Sequence, residues 1–154
     1  MYSPFVRLNL CSCLCCRWAA FRQAVDEVDT AIKAMREGSN IKLQHHIGGA
    51  YYISVTSGYN CVDVRKFYQP YYSTDGQIKA TKRGVALRFD EWVTLCQLIE
   101  TINAAYPSLA DAQPCYYDDD HMNQLGWLNC TECHPFLVSL SQPLVPPSSS
   151  SPAM

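Results

Sequence analysis

A chain of 154 residues, 48% of them hydrophobic, is long enough for one domain with extensions and a real core. Its net charge of −2 decides little as a total, because the charges are unevenly spread. No run of 18 apolar residues argues for a membrane span, and no Gly-rich phosphate loop, HExxH or nucleophile elbow argues for catalysis, so a non-enzymatic role is expected.

Residues 1–18 read as a cysteine-rich leader. Cys11, Cys13, Cys15 and Cys16 crowd too closely to wrap one tetrahedral ion comfortably from an extended chain. A flexible leader is one reading; lipidation or a metal cluster shared with a partner chain is the other. The stretch LNLCSCLCC between Arg7 and Arg17 lacks the apolar core and cleavage site of a secretory signal. Nine cysteines, an odd number, fit reduced thiols better than a closed disulfide framework, so the chain reads as intracellular.

Residues 19–38 read as an amphipathic helix. Phe21, Val25, Val28, Ile32 and Met35 draw one apolar stripe, and Gly38, Ser39 and Asn40 stop it. The stripe either packs on its own domain or forms a dimer seam. From Ile41 the period changes to two. The runs 41–47, YYISVTS (51–57), 61–72, 77–81 and 84–89 are strand-like, with Val62, Val64 and Phe67 facing inward and a turn at Asp75-Gly76. A second helix follows over 91–103, with Asp90 as its cap and Trp92, Leu95, Ile99 and Ile102 on one face. The fold class is therefore α+β. Residues 108–142 form an acidic, cysteine-containing extension, and 143–154, rich in Pro and Ser, a disordered tail.

Charge divides the chain: +4 over residues 41–90, and −5 with no Lys or Arg from 105 to the end. The basic centre is where a polyanion would land. Arg65 and Lys66 sit beside Phe67 and Tyr68, and Lys79, Lys82 and Arg83 follow the turn. Cations that track a backbone and rings on which bases stack are what single-stranded nucleic acid requires. Asp118, Asp119 and Asp120 would either lie over this basic domain as a competitor or only keep the segment soluble. A divalent-ion site there is the further alternative.

One group suits a metal. Cys130 and Cys133 form a C-x-x-C pair, with Cys115 and His121 upstream, and these four would complete a zinc site. The alternative is reduced thiols in a marginally ordered tail. The adjacent His45 and His46 would point to opposite sheet faces, where packing and hydrogen bonding account for them.

The stretch 51–102, with V-D-V-R-K-F-Y, an acidic-glycine turn, I-K-x-x-K-R-G-V-A-L and an acidic-tryptophan helix start, resembles the C-terminal domain of the transcriptional coactivator positive cofactor four family. With the first strand included, the resemblance covers residues 41–103. It implies a curved four-stranded antiparallel sheet followed by an amphipathic dimerisation helix. Here these would carry an extra N-terminal helix and an irregular acidic tail. It implies a homodimer through Trp92, Leu95, Ile99 and Ile102, and binding of single-stranded or melted DNA by Arg65, Lys66, Tyr68, Lys79, Lys82 and Arg83, with Tyr59 as the loop aromatic. Nuclear localisation, a role in transcription regulation and contacts with the transcription machinery follow from the same resemblance. Gly84 looks like the residue that lets the last strand approach its neighbour. Thr56 stands where the family has an arginine, and the first hairpin is shorter. A competing reading keeps the fold and the dimer as a protein-interaction module that has lost most of the groove.

Overall fold

From Cys13 to Arg36 the chain is one helix, α1, in a computed structural model that describes residues 13–137. Neither Pro nor Gly interrupts this stretch, and Lys33 and Arg36 complement the helix dipole in its last turn. Phe21, Ala24, Val28 and Ile32 are buried, with Val25 and Met35 packed beside them, so the apolar stripe packs on its own domain. Gly38 ends the helix at φ 93°, and the amides of Gly38 and Ser39 donate back to the carbonyls of Met35 and Ala34. The helix starts earlier than its periodicity suggests. Residues 13–18, expected as leader, are helical, and Cys16 is buried. Residues 1–12, with Cys11, and residues 138–154 lie outside the described part.

Four strands follow as an antiparallel meander: β1 (Lys42–Gly48), β2 (Tyr51–Thr56), β3 (Cys61–Tyr68) and β4 (Lys79–Arg88). The two pieces expected at 77–81 and 84–89 are one strand with a bulge. Arg65 pairs with Gly84 and Phe67 with Ala80, which leaves Thr81, Lys82 and Arg83 opposite Lys66 alone. Arg65 Nη1 donates to the Thr81 carbonyl at 2.9 Å, and Thr81 Oγ1 to the Lys66 carbonyl at 2.8 Å. Gly84 is required there, because a Cβ would stand 2.6 Å from the Val64 carbonyl oxygen.

The core lies between one sheet face and two helices. Ile47, Ile53, Val55 and Val62 meet α1, and Trp92 of α2 (Phe89–Ala105) closes the cluster against Phe21. Two hydrogen bonds tie the helices: Trp92 Nε1 to Asp29 Oδ1 at 2.7 Å and Trp18 Nε1 to Asn103 Oδ1 at 2.9 Å. Each satisfies a polar group that burial would otherwise penalise. Helix α2 begins one residue before Asp90. Its first-turn partner is Glu91, whose carboxylate accepts from the Arg88 amide at 2.8 Å, so Asp90 is not the cap.

The extension beyond Tyr106 is ordered by contacts with α1. It contains α3 (Pro107–Ala110), single 3-10 turns at Cys115–Tyr117 and Asp119–His121, and α4 (Gln124–Asn129). Arg22 Nη2 donates to the carbonyls of Leu109, Ala110 and Ala112, which gather the exposed end of α3. Tyr116 donates its hydroxyl to Gln23 Oε1 at 2.6 Å. Among the described residues, no helix is long and apolar enough to cross a membrane.

Candidate metal centre and candidate nucleic-acid interface

Strand parity gives the sheet two unlike faces. On β3, Val62 and Val64 turn toward α1, whereas Cys61, Asp63, Arg65 and Phe67 line a groove of about 600 Å³ on the other face. Lys42, Leu43 and Gln44 of β1, Ser54 and Thr56 of β2, Tyr59, Ile78 and Ala80 complete it. No described residue beyond Ala80 lines this groove, so the described part of the acidic extension, residues 108–137, does not line it. Phe67, expected to face inward, faces the groove because it is in phase with Arg65; its ring meets Tyr52 edge-on at 5.2 Å.

The predicted nucleic-acid residues divide between the faces. Arg65 and Tyr59 line the open groove. Lys66 and Tyr68 line a second depression on the other side, with Arg17, Tyr51, Glu132 and Phe136. Lys79 is the ladder partner of Tyr68, which puts both on that side. Lys82 and Arg83 are exposed in the β4 bulge. Tyr68 and Arg65 therefore do not form one platform within a protomer, since three steps along a strand reverse the face. Arg65 is also engaged: its guanidinium makes a multidentate pair with Asp63, 2.9–3.2 Å, which holds it more firmly protonated than usual.

Of the residues expected at a dimer interface, Trp92 is wholly buried inside the protomer. That position is corrected: its indole is a core group, hydrogen-bonded and packed against Phe21, with no surface left for a partner. Leu95 and Ile99 are half-buried against the same core, and Ile102 is half-buried. The apolar side chains that α2 turns outward are Val93 and Leu98, 49% and 46% exposed, with Val85 of the edge strand at 51%.

The four proposed metal ligands come together. Cys115, His121, Cys130 and Cys133 hold their ligand atoms within 4.8 Å of one another. Cys115 Sγ lies 3.9 Å from Cys130 Sγ and 3.5 Å from Cys133 Sγ. A tetrahedral zinc ion with Zn–S bonds of about 2.3 Å sets its sulfurs roughly 3.8 Å apart. The cluster is consistent with a zinc-binding site. Burial, with the two neighbouring thiols, pushes the Cys115 thiol far up, and burial raises that of Cys133. Asp118 and Asp119 are exposed and stand outside the cluster. The histidine pair is accounted for by structure: His45 pairs with Glu27 of α1, and His46 bonds the Gly49 carbonyl and stacks near Tyr52.

No family model, curated protein or solved structure matches this chain. Sequence reasoning missed Lys42, Gln44 and Ser54 as groove residues. The signal was register: Lys42 pairs with Thr56 and Gln44 with Ser54, in phase with Asp63 and Arg65 across the sheet.

Proposed function

We propose that the protein binds single-stranded DNA across the open face of its sheet and serves in transcription as a homodimeric, coactivator-like nuclear factor. The reading is supported chiefly by one observation: a groove carrying Lys42, Arg65, Tyr59 and Phe67 that, among the described residues, no helix or extension lines. A backbone following the groove would meet Lys42 at one end and the exposed Lys82 and Arg83 of the β4 bulge beside it. Tyr59, 67% exposed, and the Phe67 ring offer stacking faces, each worth about 1–3 kcal/mol. The proposed dimer uses Val93, Leu98 and Val85, with the half-buried Leu95, Ile99 and Ile102 behind them. Contacts with the transcription machinery belong to the same reading.

The test is binding of a labelled oligothymidine, its duplex and the matching RNA, measured by anisotropy over a salt series. Single-stranded DNA should bind best. Lys42→Glu and Tyr59→Ala should each weaken it, the first with a change in salt dependence and the second without. Equal affinity for all three ligands, unchanged in both variants, would favour a dimeric interaction module. The internal Arg65–Asp63 pair supports that second reading, because a guanidinium already neutralised is a poor phosphate ligand.

A further inference from the structure

We propose that Cys115, His121, Cys130 and Cys133 bind one zinc ion in a closed structural site that latches the extension onto α1 and the β1–β2 turn. The reading is independent of nucleic-acid binding. The first support is the sulfur spacing given above. The second is His121: both ring nitrogens are buried without a hydrogen-bond partner. An imidazole is ordinarily buried with at least one nitrogen satisfied, and an orphaned ring beside three thiols is what a missing fourth bond leaves. Three mutually close thiols also cannot all be consumed in disulfides among themselves. Protein side chains fill all four positions, which leaves none for substrate water, so the site is structural in type.

The latch lies between the two cysteines of the C-x-x-C turn. Glu132 is 9% exposed and accepts from Arg17 Nε at 2.9 Å and Nη2 at 2.7 Å. Its backbone carbonyl accepts from the Gly49 amide at 2.9 Å. Arg17 in turn lies over the Tyr51 ring, 4.9 Å from its centroid. The β1–β2 turn is shaped for this approach. Gly49 has φ 55°, and a Cβ there would stand 2.5 Å from Arg17 Nη2; at Gly48, φ 114°, it would meet both Arg17 and Glu132 at 3.0 Å. A metal that fixes Cys130 and Cys133 fixes the turn carrying Glu132. Cys115, the third thiolate, is the neighbour of Tyr116, which is bonded to α1. On binding, each thiol releases its proton to solvent, so occupancy is lost as pH falls.

The full-length chain, purified without chelator, should carry one zinc per protomer. Replacement by Co²⁺ should give thiolate-to-metal charge-transfer absorption and intense tetrahedral d–d bands. His121→Ala should weaken zinc by at least roughly a hundredfold, since even outer partners of ligands cost 10–100-fold. His134→Ala, next to the cluster but outside it, should bind as the wild type does. In the wild type, removing the metal should lower hydrogen-exchange protection of the Gly49 amide at least tenfold, whereas Glu132→Ala should keep its zinc. Absence of zinc together with a cobalt spectrum lacking thiolate bands would overturn the site. Loss of metal in His134→Ala but not His121→Ala would overturn the ligand set. Gly49 protection unaffected by metal would overturn the latch.

Discussion

The two faces of the sheet are built on opposite principles. The face toward α1 is dry: Ile53, Val55 and Val62 are fully buried against a helix, and Trp92 closes the gap with its indole satisfied by Asp29. The other face is wet and mixed, with Lys42, Gln44, Ser54, Asp63 and Arg65 interleaved with Tyr59 and Phe67. Four strands cannot build a core alone, so one face must find a cover. Here α1 supplies it, and the described part of the extension docks on α1. Stability is therefore concentrated on one side of a single sheet, and the other side keeps polar and aromatic side chains at the surface.

The largest test of that division is Trp92→Ala against Phe67→Ala. The first should lose about 3–5 kcal/mol, enough to unfold a marginal domain, because it empties a core site and orphans Asp29. The second should cost about 1 kcal/mol, chiefly the edge-on ring contact. Urea denaturation of both variants reads the difference directly, and similar losses would mean the open face is structural too.

Within the dimer proposal, Ile99→Asp and Leu98→Asp should separate in the same way. Ile99 packs against the core cluster, so an unpaired charge there should unfold the protomer. Leu98 is exposed, so its replacement should give a folded monomer by sedimentation. A wild-type monomer at micromolar concentration would remove the dimer altogether.

Next in size is the turn that the extension grips. Gly49→Ala places a Cβ in a left-handed conformation and against Arg17, and should cost about 1–3 kcal/mol. Gly58→Ala, also at positive φ but with open space around it, should cost less, and thermal denaturation of the pair isolates the contribution of the Arg17 contact.

The smallest effect concerns thiols. Burial, with Asp29 nearby, pushes Cys96 up to about 11. A raised thiol pKa means the reactive thiolate appears only as pH climbs toward 11. At pH 8 roughly one molecule in a thousand carries it. Mass-spectrometric alkylation should find Cys96 slow at pH 8 and about tenfold faster with each added pH unit. A rate like that of an exposed thiol at pH 8 would show that the dry side opens readily.

Sequence alone determined much of this protein, because the deciding signals were local. The stripe of α1, the alternation of β2 and β3 and the close approach at Gly84 each follow from the spacing or size of neighbouring residues. The four metal-cluster residues were also legible, since three thiols and an imidazole are rare enough to stand out. Only the tertiary structure decided which face each candidate occupies. The register of β1 on β2 brought Lys42 beside Thr56, and the β4 bulge set Lys82 and Arg83 out from the ladder opposite Lys66. Trp92, which sits on an apolar helical face in sequence, proved to be wholly interior once α1 packed over it. The Arg17–Glu132 pair joins residues 115 positions apart, and nothing local in either segment announces it. Periodicity is written in neighbours. Covering, pairing and docking depend on which distant surface arrives, and that is settled only when the chain is folded.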